Sequence, residues 1–391
     1  ANIDDAVARI LRIKFRLGLF DNPYTTIVDT KERYLQPDAK ALAAKLAEES
    51  MVLLKNSKNA LPLSKKIKSI ALIGPMAKDK DNIIGSWSFN GEAADAESIY
   101  EGLQSEFKNT TINYAKGCAF DGNDETGFEG AINAANQSDI IIVCLGELKT
   151  WSGENASRST IALPAIQEKL VAALRQTGKS IVLILSNGRP LELVRLEPMV
   201  DAIVEIWQPG IAGGTPLAGI LSGRINPSAK LAITFPLTTG QIPTYYNMRN
   251  PARPAKEGFY QDISTEPLYW FGHGLSYANY EYSNVTVSKT QFKKNEKVIA
   301  EVTVKNSGIV YGKETVLWYI SDPVSSISRP MKELKYFEKK EIKAGEAAIY
   351  KFEIDPMRDL SFTDAAGKKI LEEGDYFIQV GNQRVKIELI K

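Results

Sequence analysis

Between residues 68 and 235, short runs of β-branched apolar residues alternate with stretches that have helical periodicity. Strands that are covered on both faces read as continuous apolar runs, and helices between them are typical of a parallel α/β sheet. We expect strands at 69–73, 111–114, 139–145, 180–185, 202–207 and 231–235. We expect helices at 98–107, 128–136, 164–177 and 216–221. The alternation therefore predicts an α/β sandwich domain with a mostly parallel sheet over residues 68–245.

The pattern changes near residue 280, where apolar and polar residues begin to alternate along short strands separated by turns. The clearest of these strands lie at 298–305, 314–320, 350–354 and 375–380. About 110 residues with regular turn spacing and no long helix are typical of an immunoglobulin-like β-sandwich. We therefore expect an all-β sandwich over 280–391, joined to the α/β domain by a linker at 246–279.

The N-terminal residues form a separate, helical pattern. An amphipathic helix is predicted at 3–19, where Gly18 closes it, and a second helix is predicted at 37–54. The sequence begins within the first helix, with neither an initiator Met nor a signal peptide. We therefore expect residues 1–24 to be the end of a preceding domain, followed by a linker with a helix at 25–67.

Composition excludes several classes of function. Lys and Arg total 48 and Asp and Glu total 47, so the net charge of +1 gives no reason to expect nucleic acid or a membrane surface as a partner. Two cysteines, Cys118 and Cys144, exclude a disulfide framework, and the single histidine, His273, excludes most zinc chemistry. We expect all three side chains to be structural. The sequence contains neither a P-loop nor a G-x-S-x-G motif, and we expect no cofactor and no metal.

One loop carries a pattern typical of catalytic chemistry. Residues 145–158 directly follow the most apolar strand, so they lie where open α/β sheets bind ligands. The loop holds two carboxylates, Glu147 and Glu154, together with an aromatic residue. A carboxylate beside an aromatic wall suits a general acid, because desolvation raises its pKa. The alternative is a solvated loop whose Glu caps the next helix or pairs with Arg158.

A series of short motifs is similar, in order and spacing, to the motifs of one enzyme family. They include Gly-Ser-Trp-Ser at 85–88, Ser-Asn-Gly-Arg-Pro at 186–190, Trp-Gln-Pro-Gly at 207–210, Asn-Pro-Ser-Ala-Lys-Leu at 226–231, Phe-Gly-His-Gly-Leu-Ser-Tyr at 271–277 and Lys-Asn-Ser-Gly at 305–308. The chain resembles the glycoside hydrolase family 3 enzymes, most closely the bacterial periplasmic β-glucosidase type. The resemblance implies that the N-terminal helix belongs to a (β/α)8 barrel missing from this chain, and that the β-sandwich is fibronectin type III-like.

The resemblance also implies a retaining, exo-acting β-glucosidase that hydrolyses terminal non-reducing β-D-glucosyl residues. Family members take an Asp nucleophile from the barrel and a Glu acid/base from a loop of the α/β domain. By position, that Glu falls on Glu154, with Glu147 as the rival. We expect Arg158 to orient the loop through a carboxylate pair, and Trp87 either to wall the aglycone subsite or to be a core residue. The sequence departs from the family at Gly153, where relatives often carry a larger residue.

The expected partners follow from the same resemblance. They are the barrel half of the enzyme, as a separate chain or a cleaved portion, and a β-glucoside or cello-oligosaccharide substrate. The implied location is periplasmic or secreted. A homodimer, the preferred linkage and the balance between β-glucosidase and β-xylosidase activity stay open. A different class of function, a non-catalytic carbohydrate-binding or scaffold module, is the alternative.

Overall fold

The computed structural model of this chain describes residues 1–26, 33–249 and 262–391. The segments 27–32 and 250–261, which fall within the two expected linkers, lie outside the described residues. The chain divides into two compact units, Ala1–Leu42 and Ala43–Lys391.

The first unit contains helix α1, Asn2–Arg16. Two aspartates in its first turn and two basic residues in its last turn complement the helix dipole. None of its residues is buried, and the rings of Phe15 and Phe20 lie 4.4 Å apart. Helix α2, Pro37–Ser50, begins in this unit and continues into the second. The prediction that this helix extends to residue 54 is wrong, because the chain enters a strand at Val52.

The second unit begins with the α/β domain. Its strands are β1 Val52–Asn56, β2 Ser69–Ile73, β3 Thr111–Ala115, β4 Ile140–Gly146, β5 Ile181–Ser186 and β6 Ala202–Glu205. Its helices are α3 Ile99–Glu106, α4 Phe128–Asn136, α5 Ala165–Arg175 and α6 Gly214–Ser222. Among the described residues, these six strands form one sheet in the order β1-β6-β5-β4-β2-β3. All neighbours pair in parallel except β1, which pairs antiparallel with β6. The mostly parallel α/β sheet is therefore confirmed.

The two faces of the sheet have separate hydrophobic cores, and strand β4 contributes to both. Ile141 and Val143 belong to the core that includes residues of α4 and α5. Ile142 and Cys144 belong to the core that includes residues of α3 and α6. Alternate residues of a strand point to opposite faces, so a strand between two cores is apolar throughout. This burial explains why β4 is the most apolar run in the sequence.

The strand predicted at 231–235 is wrong. Leu231 exchanges backbone hydrogen bonds with residues 272 and 273, and Phe235 forms an isolated bridge with Tyr269. Leu231 and Phe235 are buried against the core, whereas Ile233 is exposed. The apolar run at 231–235 thus arises from the burial of two residues and not from membership of the sheet.

The second domain of this unit is a β-sandwich. Its strands are β7 Tyr280–Tyr282, β8 Thr286–Val287, β9 Gln291–Phe292, β10 Val298–Asn306, β11 Gly312–Ser321, β12 Glu333–Ile342, β13 Ala347–Ile354, β14 Phe362–Thr363, β15 Lys369–Ile370, β16 Gly374–Val380 and β17 Gln383–Leu389. In the described ranges, β14 and β15 pair only with each other. One of the two large sheets has the order β13-β10-β7, with β8 also paired to β10, and the other has the order β12-β11-β16-β17-β9. Their core includes Trp318, Tyr350 and Phe352. The predicted β-sandwich is confirmed. No helix in the described part of the chain has the length and apolar character needed to cross a bilayer.

Candidate active site

Two loops meet at the carboxyl edge of the α/β sheet. Strands β2 and β4 are parallel neighbours, so the loops that follow them leave the sheet at the same edge. The backbone N–H of Lys149 donates a hydrogen bond of 2.8 Å to Asn82 Oδ1, which joins the two loops. The Lys149 ammonium also pairs with Asp81 at 2.6 Å. The sheet topology therefore brings the segment around Trp87 to the loop that holds Glu154.

Glu154 and Trp87 line one open groove of about 410 Å³. The Trp87 side chain is 59% exposed, so the alternative that it is a core residue does not describe this structure. The exposed ring of Phe89 lies 6.3 Å from the Trp87 ring, and it lines the groove as well. The groove thus combines one carboxylate with an aromatic surface.

Glu154 is exposed at the middle of its loop. Within the part of the chain that the structure describes, its carboxylate has neither a hydrogen-bond partner nor an ion-pair partner. Glu154 therefore neither caps a helix nor pairs with Arg158; the carboxylate of this loop that lies against Arg158 is that of Glu147. The Glu154 carboxylate is open to a group that enters the groove.

Glu147, the rival, has a different environment. Its side chain is 1% exposed, and its Oε2 accepts a hydrogen bond of 3.1 Å from Arg189 Nε. Arg158 Nε lies 3.7 Å from Glu147 Oε1, and the Arg158 guanidinium lies 4.3 Å from the centre of the Trp151 ring. Burial raises the pKa of Glu147 above its ordinary value, although the two arginines oppose this shift. The expected carboxylate partner of Arg158 is thus Glu147, and its role in orienting the loop stays a prediction.

A second buried carboxylate lies at the end of β6. Glu205 is fully buried, and it accepts hydrogen bonds from the backbone N–H of Trp207 at 2.7 Å and from Asn187 Nδ2 at 3.0 Å. Burial raises the pKa of Glu205 well above its ordinary value. Sequence reasoning did not select Glu205, Asn187 or Arg189. Their position in the sequence could have identified them, because each lies at the end of an apolar strand or just after it, at the edge of the sheet where ligands bind.

The other residues with potential chemistry have structural environments. His273 Nε2 lies 2.8 Å from the carbonyl oxygen of Leu54, and the His273 ring stacks on Tyr269. Cys118 and Cys144 are buried, and burial raises the pKa of both thiols. Across the described ranges, no cluster of three or more His, Cys, Asp or Glu residues could hold a metal ion.

Comparison with known proteins gives consistent results for both domains. Residues 51–277 match the glycosyl hydrolase family 3 C-terminal domain, and residues 314–384 match a fibronectin type III-like domain. A periplasmic beta-glucosidase of Salmonella typhimurium is 36% identical over 99% of this chain and 55% of its own length. A beta-xylosidase of Formosa agariphila is 35% identical over 97% of this chain and 53% of its own length.

A solved structure gives the same result. The crystal structure of a beta-glucosidase from Listeria innocua in complex with glucose superposes with a TM-score of 0.91 at 36% identity. That match covers 99% of this chain and 55% of the Listeria chain, so this chain spans about half the length of the relatives it matches. The matches to both domains, over nearly the whole chain, establish that it belongs to glycoside hydrolase family 3.

Proposed function

We propose that this chain is the C-terminal part of a retaining, exo-acting β-glucosidase, and that Glu154 is the acid/base of that enzyme. The observation that carries the proposal is the placement of an exposed, unpaired carboxylate in a groove beside Trp87, at the carboxyl edge of the sheet. Glu147 suits the role less well, because its oxygens face two arginines in a buried site.

A retaining glycosidase uses two carboxyl groups that are about 5–5.5 Å apart on opposite sides of the anomeric carbon. In this proposal, Glu154 donates a proton to the glycosidic oxygen as the bond to the leaving group breaks. A nucleophile from the barrel half forms the glycosyl–enzyme intermediate. Glu154 then removes a proton from the water molecule that hydrolyses this intermediate.

The aromatic side chains of the groove suit the aglycone. Trp87 and Phe89 present exposed ring surface next to Glu154. The C–H face of a sugar ring is apolar, so it packs favourably on such rings. A β-glucoside or cello-oligosaccharide is the substrate that we propose, since two of the three relatives described above are β-glucosidases. A panel of aryl β-glucosides and β-xylosides on the complete enzyme measures this preference.

The proposed partner of this chain is the barrel half of the enzyme. Helix α1 exposes large apolar side chains, among them Ile3 at 79%, Ile10 at 60% and Phe15 at 66%. Such a surface is costly to leave in water, and in this proposal it packs on the barrel. The name of the Salmonella relative supports a periplasmic or secreted location.

The first prediction tests the acid/base role with substrates of different leaving groups. Glu154→Gln in the complete enzyme removes the proton donor without changing the size of the side chain. We expect hydrolysis of an alkyl β-glucoside to fall by roughly 10²–10⁴-fold, which is the usual contribution of general acid–base catalysis. Glycosylation by dinitrophenyl β-glucoside should stay nearly unchanged, because dinitrophenolate leaves without a proton. Steady-state rates and the pre-steady-state burst of phenolate measure the two effects.

The matched control is Glu129→Gln, which changes an exposed glutamate on helix α4. This variant should hydrolyse both substrates at the wild-type rate. An equal loss on all leaving groups in Glu154→Gln would contradict the acid/base role. It would favour a structural role for Glu154 and a non-catalytic module as the function of this half.

A further inference from the structure

We propose that Arg189 is a positioning residue for Glu154, because its guanidinium joins the buried carboxylate of Glu147, at the start of the acid/base loop (residues 145–158), to Ala156 near the end of that loop. This proposal rests on the proposed function, since it concerns the residue that holds the acid/base in place. Arg189 follows strand β5, 35 positions after Glu154 in the sequence, and it does not line the groove.

The fork of the Arg189 guanidinium makes two contacts at once. Its Nε donates to Glu147 Oε2 at 3.1 Å, and one terminal nitrogen donates to the carbonyl oxygen of Ala156 at 3.2 Å. Ala156 lies two residues after Glu154. The side chain of Arg189 is only 18% exposed, so water competes weakly for these contacts. Arg189 thus fixes the C-terminal side of the loop.

A second set of contacts holds the N-terminal side of the loop. Ser152 is 8% exposed, and its Oγ accepts a hydrogen bond of 3.2 Å from Gln208 Nε2. Ser152 packs so closely on Gly188 that a Cβ at residue 188 would lie 2.3 Å from Ser152 Oγ. Between the two held positions, Gly153, Glu154 and Asn155 are exposed. The acid/base is therefore the middle residue of a three-residue span with both ends fixed.

Arg189 is itself held by the buried end of the sheet. Asn187 Nδ2 donates to the carbonyl oxygen of Arg189 at 2.7 Å and to Glu205 Oε2 at 3.0 Å. On the other side, Glu147 Oε1 is buried without a hydrogen bond in the described residues, and the nearest Arg158 nitrogen is 3.7 Å away. The hydrogen bond from Arg189 is consequently the close contact that satisfies the Glu147 carboxylate. A buried carboxylate that loses such a contact is costly, so the pair constrains the loop strongly.

The second prediction replaces Arg189 with Lys in the complete enzyme. Lys keeps the charge, but a single ammonium cannot make the two diverging contacts of the guanidinium fork. A misplacement of about 1 Å at a reacting group costs roughly 10²-fold. We therefore expect Arg189→Lys to slow alkyl β-glucosides by roughly 10–100-fold. The glycosylation step with dinitrophenyl β-glucoside, which does not need the acid, should change by less than about threefold.

Two further measurements separate positioning from a general loss of structure. In Arg189→Lys, amide hydrogen exchange of the complete enzyme should accelerate in 147–158 and stay unchanged in the strands of the sheet. In Arg189→Ala, added guanidinium ion should partly restore the rate on alkyl β-glucosides, whereas equal concentrations of urea or sodium chloride should not. The control is Arg195→Lys, which alters an exposed arginine that pairs with Glu168 at 2.8 Å. It should leave both substrates and the loop exchange unchanged.

The outcomes distinguish this proposal from the proposed function. Glu154→Gln could show leaving-group selectivity while Arg189→Lys either slows the hydrolysis of all substrates equally or leaves all rates unchanged. In that case Glu154 is the acid/base and Arg189 does not position it. If Glu154→Gln shows no selectivity, the proposed function fails, and the positioning role fails with it. A selective loss of activity on alkyl β-glucosides in both variants, with faster amide hydrogen exchange confined to the loop in Arg189→Lys, supports the proposed function and the positioning role of Arg189.

Discussion

Glu147 and Glu154 have the same side chain and lie on the same loop, but their environments differ. Glu147 is buried between two guanidinium groups, and Glu154 is exposed in the groove. The sequence places both carboxylates after an apolar strand, and the pattern alone cannot choose between them. The choice depends on Arg189, which lies 42 residues beyond Glu147 and reaches it only in the folded chain. Long-range contacts of this kind leave no periodic signal in a sequence.

Gly153 illustrates how one residue shapes the loop. Its φ of +102° lies in a region that other residues rarely adopt, and a Cβ there would lie 2.9 Å from Ser86 Oγ. Ser86 belongs to the neighbouring loop that carries Trp87. Glycine at this position therefore lets the two loops approach.

The third prediction concerns this close approach. Gly153→Ala should cost about 1–3 kcal/mol locally through backbone strain, and it should move the adjacent Glu154. We expect a loss of roughly 10-fold or more on alkyl β-glucosides in the complete enzyme. The melting temperature should fall by a few degrees, because strain in the folded loop lowers the free energy of unfolding. Activity assays and thermal unfolding measure the two quantities.

The control is a double-mutant cycle with Ser86→Gly, which removes the side chain that the new Cβ would meet. Adding Ser86→Gly to Gly153→Ala should recover part of the lost activity, because the steric component disappears and the backbone strain remains. Full additivity of the two variants would show that the loops do not approach as closely as described.

At the scale of elements, the parallel strands and their helices were predictable because burial on both faces gives uninterrupted apolar runs. Strand β1 was not predicted, because its residues continue the apolar pattern of helix α2. Its strand conformation comes from antiparallel pairing with β6, about 150 residues later in the chain. The run at 231–235 shows the converse error, since burial of Leu231 and Phe235 produced the pattern without a sheet partner.

The edge of the sheet could be predicted from the sequence, and the groove could not. The resemblance to the family, and not periodicity, selected Trp87. Its place beside Glu154 follows from the strand order, because β2 and β4 are parallel neighbours although β3 separates them along the chain. Strand order is a tertiary property that depends on crossover connections, and local sequence patterns carry little information about it.

At the scale of the second unit, Glu49 joins the α/β domain to the β-sandwich. Its carboxylate pairs with Lys313 on β11, with Lys339 on β12 at 2.5 Å and with Lys45 at 3.1 Å. Burial acts to raise the pKa of Glu49, but the three lysines outweigh it and lower the pKa to about 2. The charge of this carboxylate thus stabilises the contact between the two domains.

The fourth prediction follows from the direction of this shift. Because the pKa of Glu49 is lower in the folded chain than its ordinary value of 4.5, the stabilisation is present above about pH 4.5 and is lost as the pH falls towards 2. A pKa shift from 4.5 to about 2 corresponds to about 3 kcal/mol of folding stability before screening by solvent is taken into account. The side chain is 26% exposed, so we expect a contribution of about 1–2 kcal/mol.

Glu49→Gln should therefore lower the melting temperature by several degrees at pH 7, and the difference from the wild type should shrink at pH 3.5. The control is Glu346→Gln, because Glu346 is 60% exposed and pairs with Lys343 at 3.8 Å. This variant should unfold at the wild-type temperature at both pH values. A difference for Glu49→Gln that stays constant with pH would show that its charge does not stabilise the domain contact.

The proposed role of Glu154 as the base in the second step of a retaining reaction is tested most directly with azide. In the complete enzyme with Glu154→Gln, dinitrophenyl β-glucoside forms the glycosyl–enzyme intermediate, which water then attacks slowly without a base. Azide is an anion that needs no deprotonation, so we expect it to restore turnover and to yield β-glucosyl azide, detected by nuclear magnetic resonance. Unchanged turnover with no β-glucosyl azide would contradict the assignment of Glu154.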